Sequence, residues 1–291
     1  MTREHALLGL LALLWGSSYL FIKVAVAEIP PLTLIALRVS LASAFLLVVL
    51  HLAGHGLPRD GLTWRRLFVQ SILNSSGAWT VLAWGQQYVP SGLASVLNST
   101  SPVFVLIASA ALGKALDGRK GLGAGLGLLG VVLIVGPGVL AGLGDQVLGQ
   151  LACLLGAMLY AGAALYGQRL SHISPLAAAT GTMLCATAAM IPAALIVDQP
   201  WSLAPGAGAL AATAALAILC TGVALLIYFR LIRTLGPLGT ASQAFLRAGV
   251  GVMLGIVLLG ETLTISQVAG LSAAILGVAL INWPAKAKRP A

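Results

Sequence analysis

Hydrophobic residues fill the chain in windows of about twenty residues, each ending at a charged residue, a proline or a glycine. A helix of that length crosses roughly 30 Å of hydrocarbon, because an α-helix rises about 1.5 Å per residue. The pattern therefore predicts an all-α membrane protein with about ten transmembrane helices. The predicted spans are residues 6–27, 32–52, 67–88, 92–112, 122–140, 147–170, 176–197, 207–229, 238–259 and 265–283.

The composition supports the lipid bilayer as the solvent of the whole chain. Hydrophobic residues make up 59% of the 291 residues and charged residues only 8%, whereas soluble domains carry about 25% charged residues. The mean hydropathy is +1.02. The net charge of +9 does not indicate a nucleic-acid partner, because the basic residues lie in short connections and form no patch interleaved with exposed polar surface.

The basic residues instead predict the orientation in the membrane. With both termini in the cytoplasm, the lysines and arginines of the connections divide roughly 13 to 1 in favour of the inside, and Lys23 is the exception. The first apolar run is too long for the core of a signal peptide and has no small-residue cleavage site after it. We therefore predict an uncleaved multi-pass protein with both termini cytoplasmic.

The second half of the sequence repeats the first. A register that pairs Pro90 with Pro237 continues without a gap to Pro137 and Pro284, and roughly 15 of about 48 positions are identical. Within it, Gly-Leu-Ala-Ser after Pro90 aligns with Gly-Thr-Ala-Ser after Pro237. Shared composition does not account for the matched prolines and their spacing, so we interpret the repeat as a duplication.

The repeats are predicted to be inverted. Residues 1–144 and 145–291 each hold about five spans, and an odd number makes the second copy enter the membrane from the opposite face. Lys114 aligns with Glu261, as the positive-inside rule requires of inverted copies. Two similar halves around one central site can exchange conformations, which predicts transport by alternating access.

Arg247 is the candidate substrate ligand. It lies near the middle of the ninth predicted span, where no span carries an Asp or Glu to pair with it, and it stays charged at every biological pH. We interpret it as binding a substrate carboxylate in a hydrated cavity, with snorkelling or the capping of helix carbonyls as the alternative. Arg38 lies nearer the outer interface and is expected to reach water or outer carbonyls.

Other polar and aromatic residues fall at a depth similar to that of Arg247. Gln243 lies one turn before it, and Asn98 lies one turn before Pro102, whose ring removes a backbone hydrogen bond. Aromatic rings at this depth supply flat apolar walls, although core packing is an equal alternative for any one of them. We predict a break at Gly16 and assign gating to Gly16 and Pro102. The predicted substrate-binding residues are Trp15, Ser18, Tyr19, Asn74, Trp79, Asn98, Tyr160, Gln243 and Arg247.

The residue types within the spans argue against catalysis and metal binding. No Asp or Glu lies in a predicted span, and the single histidine in one, His51, stands at its cytoplasmic end, so an enzyme would lack a general base within the membrane, and neither a metal nor a cofactor is expected. Cys153, Cys185 and Cys220 lie in apolar stretches and are predicted to be small packing residues. Because proton-driven carriers place a titratable group in the path, we also predict facilitated export without proton coupling.

Short motifs occur in a fixed order in both halves. They are Trp15-Gly16-Ser17-Ser18-Tyr19 with Lys23, Pro31 with Arg38, Ala94-Ser95 with Pro102, Ala157 with Tyr160-Ala161, Ala241-Ser242, Gly260-Glu261 with Leu263 and Gln267, and Gly270 with Gly277. In this order they resemble the EamA family of the drug/metabolite transporter superfamily over nearly the full chain. The resemblance implies a bacterial inner-membrane exporter of small metabolites, closest to the branch that exports amino acids, including aromatic ones.

The sequence therefore predicts export of amino acids, aromatic and other apolar ones, around a cavity at the membrane midplane. A carrier of another organic anion, or of a phosphorylated or sugar-conjugated metabolite, is the alternative, although several phosphate charges would demand more than one deep cation. A membrane assembly protein is the alternative outside transport. A monomer would be sufficient, and a dimer is also compatible with the glycine-rich helix faces.

Overall fold

The structure is a computed structural model that describes residues 3–85, 88, 91–113, 117–135, 146–247, 249–250 and 264–283. These residues form helices and short connections, and no strand occurs among them. The all-α prediction is confirmed to this extent. Among the same residues, four helices are long and apolar enough to cross a membrane, and two further apolar helices are shorter. The four are Pro31–Leu52, Val147–Leu170, Pro175–Val197 and Ala207–Thr234, and the two are Val96–Ala111 and Val268–Asn282.

The helices begin where the local sequence favours a start. Pro31 and Pro175 each stand in the first turn of a helix, where the missing N–H costs nothing. Asp60 accepts a hydrogen bond from the Thr63 N–H at 2.8 Å and caps the next helix. The helices are α1 (Arg3–Val26), α2 (Pro31–Leu52), α3 (Gly61–Ser71), α4 (Gly77–Gly85), α5 (Ser91–Asn98), α6 (Ser101–Ala111), α7 (Gly118–Val135), α8 (Val147–Gly167), α9 (Pro175–Val197), α10 (Ala207–Ala217), α11 (Ala224–Thr234), α12 (Gly236–Ala241) and α13 (Ile265–Asn282).

Two long helices each contain a π-helical turn in the same position of their half. Ile72–Ser76 joins α3 to α4, and Ile218–Val223 joins α10 to α11. In each turn a hydroxyl group donates to the carbonyl oxygen five residues back: Ser76 to Ser71 at 3.2 Å and Thr221 to Leu216 at 2.9 Å. The hydroxyl group thereby satisfies a carbonyl that the widened turn leaves free, and π turns of this kind are frequent at functional sites.

Equivalent helices of the two halves run antiparallel. Thr33 near the start of α2 bonds Asp198 at the end of α9, and the hydroxyls of Ser43 and Thr187 lie 3.0 Å apart further along the same pair. Helices α7 and α13 are also antiparallel, and they pack glycine against backbone along their length. This is the direction that inverted copies require.

At one end of the bundle, two carboxylates cross between the halves. Glu28 accepts a hydrogen bond from the Gly206 N–H at 2.6 Å, directly before α10. Asp198 accepts from the Thr33 N–H at 2.6 Å and from the Thr33 hydroxyl at 2.9 Å, in the first turn of α2. Each carboxylate therefore caps a helix of the other half, where the helix dipole favours a negative charge.

At the opposite end, α1 is tied to α11 by an ion pair. Arg230 Nη2 donates to Glu4 Oε1 at 2.7 Å, and the Thr234 hydroxyl donates to Glu4 Oε2 at 3.0 Å. Hydrogen bonding from Arg230 holds the pKa of Glu4 below its usual value, so the pair stays ionised at neutral pH. His172 Nε2 lies 3.2 Å from the Thr63 hydroxyl and links the halves a second time at this end.

The structure tests two predictions about helix breaks. Helix α1 is continuous from Arg3 to Val26, so the predicted break at Gly16 is wrong. The fourth predicted span is interrupted directly before Pro102: α5 ends at Asn98 and α6 begins at Ser101, in agreement with the loss of a backbone hydrogen bond that the proline predicts. The ninth predicted span, residues 238–259, is described only to residue 250 and turns at Ser242 after α12.

Candidate functional site

Arg247 lies between the aromatic residues of two different helices. Its guanidinium carbon is 4.7 Å from the centroid of the Trp15 ring on α1 and 5.8 Å from that of Tyr160 on α8. Both distances are within the range of a cation–π contact. Its Nε donates to Gln243 Oε1 at 2.8 Å, one turn earlier. The structure thus brings together four of the residues that the sequence predicts to bind substrate.

Arg38 is the second arginine at the centre, and the structure corrects its predicted environment. Arg38 is only 5% exposed. The expectation that it reaches water at the outer interface is therefore wrong. The guanidinium carbon lies 3.7 Å above the Trp79 ring of α4, and Nε donates to the Thr221 hydroxyl at 2.7 Å. Burial is possible because α9 and the π turn of residues 218–223 cover this part of α2.

Both arginines lie against aromatic rings of other helices: Arg38 against Trp79, and Arg247 against Trp15 and Tyr160. Neither arginine forms an ion pair with any carboxylate that the structure describes. Those carboxylates are bound elsewhere: they are Glu4, Glu28, Asp60, Asp117 and Asp198. Arg38 is buried and Arg247 is half-buried, and a permanent charge buried without such a partner is costly, which marks the place where an anion would be stabilised.

Two buried amides supply further polar atoms. Asn74, in the first π turn, is 1% exposed and Asn98, at the end of α5, is 6% exposed. The Oδ1 atom of each has no hydrogen-bond partner among the described residues. Asn98 adjoins the segment that carries Arg247, because the hydroxyl of neighbouring Ser99 bonds the Ala244 carbonyl oxygen at 3.4 Å. An unsatisfied buried carbonyl oxygen is costly unless a ligand or water donates to it.

Trp15 is fixed by its own neighbours. Its ring lies 5.6 Å from the ring of Tyr228 on α11, which in turn packs edge-on against Phe229 at 5.2 Å. Ser18 is buried, but its hydroxyl donates to the Trp15 carbonyl oxygen at 2.6 Å, so its proton is committed to α1. The side chain of Tyr19, also predicted to bind substrate, lies outside the described residues.

Gly16 allows close contact between α1 and residues 249–250. A Cβ atom at this glycine would lie 2.7 Å from Cβ of Val250, closer than such atoms approach in proteins. The residue that sequence reasoning assigned to a break is therefore a packing position next to Trp15. Its gating role remains a prediction, as does that of Pro102.

Replacing Gly16 by valine should destabilise the fold. The added side chain would push residues 249–250 away from α1, at a cost of about 1–3 kcal/mol. Gly9→Val on the same helix is the matched control, because a Cβ at Gly9 meets no atom within 4 Å. Thermal unfolding in detergent measures both variants, and equal midpoints would contradict the close contact.

The sequence analysis missed Arg38 and Thr221. The motif that joins Pro31 to Arg38 pointed to the position, but counting residues from the helix end placed it near water. Thr221 carries no charge, and only its pairing with Arg38 makes it notable. Among the described residues, no group of three or more His, Cys, Asp or Glu could hold a metal ion. Cys153, Cys185 and Cys220 are free and buried, which confirms the predicted packing role.

These features define a helical membrane protein with a basic, aromatic centre between two halves. The chain belongs to the EamA-like transporter family, whose sequence profile matches residues 3–136 and again residues 147–283. The matches confirm the resemblance seen in the sequence. Membership identifies the chain as a transporter, a class that is generally not enzymatic.

Relatives cover nearly the whole chain. This chain is 30% identical to the uncharacterized inner membrane transporter YedA of Escherichia coli strain K12 over 281 residues. The alignment covers 95% of this chain and 91% of YedA. The chain is 26% identical over 294 residues to the uncharacterized transporter YvbV of Bacillus subtilis strain 168, covering 100% and 95%. A solved structure titled only "Crystal structure of protein" superimposes on this chain with a TM-score of 0.80 at 20% identity. The superposition covers 94% of this chain and 96% of that chain, so the two proteins share a fold.

Proposed function

We propose that this transporter exports amino acids and closely related small carboxylates across the inner membrane of a bacterium. The observation that carries the proposal is Arg247, held between the rings of Trp15 and Tyr160 without an acidic partner among the described residues. A guanidinium group presents a planar set of donors that fits a carboxylate. The same rings offer an apolar surface to the rest of the substrate.

The amino group of such a substrate has candidate partners as well. An ammonium group donates up to three hydrogen bonds, and the Oδ1 atoms of Asn74 and Asn98 are buried acceptors without partners in the described chain. A zwitterion bound through its carboxylate to Arg247 and through its ammonium group to these amides would satisfy all three groups. This complementarity supports amino acids over simple carboxylic acids.

We propose that transport follows alternating access in about ten helices, arranged as inverted repeats at residues 1–144 and 145–291 with both termini cytoplasmic. The antiparallel directions of α2 with α9 and of α7 with α13 support this arrangement. The contacts of Glu28 and Asp198 at one end, and of Glu4 at the other, are the bonds between halves that opening would break. A monomer contains both halves and is sufficient.

Exchange in reconstituted vesicles tests the proposal. The full-length protein in liposomes loaded with unlabelled amino acid should accumulate the radiolabelled amino acid from outside, with phenylalanine, leucine, glutamine and glutamate tested in parallel. We expect exchange without an imposed pH gradient, because no described carboxylate or histidine pairs with the central arginines. Absence of exchange for every amino acid would contradict the proposal, and strict dependence on a pH gradient would contradict its facilitative part.

A second candidate is a carrier of another organic anion, including a phosphorylated or sugar-conjugated metabolite. The observation that favours it is the burial of Arg38, which provides a second deep cation where the sequence predicted only one. Exchange assays with inorganic phosphate and with a sugar phosphate in place of amino acids distinguish it from the first.

A further inference from the structure

We infer that Arg38 is a second anion-binding residue of the transport site, and that the preferred substrates carry an acidic group at each end of a short apolar body. The inference rests on the proposed function and specifies its substrate class. It starts from the observation that Arg38 is buried against Trp79 and Thr221 without an acidic partner among the described residues, as Arg247 lies between Trp15 and Tyr160 without one.

The contacts of Arg38 leave part of its guanidinium group available. Its Nε is bound to Thr221, and the ring of Trp79 covers one face of the guanidinium plane. Neither contact neutralises the charge, because a hydroxyl and an aromatic ring are both uncharged. The Nη groups of Arg38 have no acidic partner in the part of the chain that the structure describes.

The contacts that hold Arg38 also fix its direction. The Thr221 hydroxyl accepts from Arg38 while donating to the Leu216 carbonyl oxygen, so the π turn places and orients this acceptor. Trp79 stands on the helix that continues from the other π turn. Arg38 is therefore positioned by one π turn and one aromatic residue from opposite halves, which is how a preorganised ligand is held.

Charge balance then selects the substrate. A substrate with one carboxylate, bound to Arg247, leaves the charge of Arg38 buried and uncompensated. A substrate with two acidic groups would place one beside each arginine and compensate both charges. The rings of Trp15, Tyr160 and Trp79 lie beside the two guanidinium groups and would contact the apolar body between the acidic ends.

Glutamate and glutamine provide the test, because they have the same shape and differ by one acidic group. In the vesicle assay we expect a half-saturation concentration for glutamate at least about tenfold below that for glutamine, the ratio that corresponds to 1.4 kcal/mol. Arg38→Gln should raise the half-saturation concentration for glutamate far more than that for glutamine, so that the ratio is lost. Arg38→Lys, which keeps the charge, should retain part of it.

Arg233→Gln is the matched control, because Arg233 is exposed on α11 and should leave the ratio unchanged. An unchanged ratio in Arg38→Gln would overturn the inference and leave Arg38 a structural residue. Equal half-saturation concentrations in the wild type would overturn it too, whether or not the variant folds. If no amino acid exchanges, the proposed function itself fails, whereas exchange of phenylalanine without a glutamate preference defeats only the inference.

Discussion

Replacing Arg247 by glutamine should raise the half-saturation concentration for every carboxylate substrate by about 30-fold or more. Loss of one partner from a buried, hydrogen-bonded charge pair costs about 2–5 kcal/mol, and 1.4 kcal/mol corresponds to a factor of ten. Glutamine keeps a polar side chain, although a shorter one, and it can neither carry the charge nor stack as a cation on Trp15 and Tyr160. Initial rates of exchange against substrate concentration measure the change.

The effect of Arg247→Gln should differ in kind from that of Arg38→Gln. In our proposal Arg247 binds the carboxylate that all amino acids share, so glutamate and glutamine should be weakened together, whereas loss of Arg38 should weaken glutamate more than glutamine. Arg233→Gln again serves as the control on an exposed arginine. A half-saturation concentration that stays within a factor of two would remove Arg247 from the binding site.

The sequence predicted the helical class and the antiparallel halves because both depend on regular, additive signals. A run of about twenty apolar residues predicts a span whatever its neighbours are. The internal repeat required only a matched register of prolines and small residues. The predicted span 147–170 accordingly agrees with a candidate span of the same bounds in the structure, Val147–Leu170.

The fourth span shows where such signals fail. Apolar composition over residues 92–112 predicts one helix, but the chain turns between Asn98 and Ser101. Pro102 marks the place, because its ring removes a backbone hydrogen bond and the turn lies directly before it. Composition alone cannot distinguish one helix from two, because both contain the same residues.

Arg38 was misplaced for a different reason. Depth along one helix predicts access to water only if no neighbouring helix covers the residue, and in this fold α9 and a π turn cover it. The sequence gives no local sign of a π turn, since its residues in both halves are ordinary helix-compatible ones. The burial of Arg38 therefore depends on how the two halves pack together, and the position of the residue along its own helix does not predict it.

The glycines of α7 show the same limit. Gly123, Gly127 and Gly130 meet close neighbours in the packed structure, whereas a Cβ at Gly121 or Gly125 meets no atom within 4 Å. The sequence alone does not separate the two sets, because helical spacing does not say which face a neighbouring helix covers. The structure shows which glycines face a neighbouring helix, and therefore at which positions a larger side chain would destabilise the fold.

Gly277→Val should cause a large loss of stability. A Cβ at this position of α13 would lie 2.5 Å from the Gly123 carbonyl oxygen and 2.6 Å from the Gly127 backbone nitrogen on α7. Backbone atoms cannot rotate away as a side chain can, so the helices must separate along the seam, at a cost of about 3 kcal/mol or more.

Gly125→Val is the matched control for this seam, since it adds the same side chain to a helix face with open space. Thermal unfolding in detergent should show a large fall in midpoint for Gly277→Val and little change for the control. Helix α7 lies in the first region that matches the family and α13 lies in the second. Weakening the contact between them should therefore also reduce exchange in vesicles at temperatures where the variant is still folded. Equal midpoints would mean that the halves are not held together here, and the inverted arrangement would lose its closest observed contact.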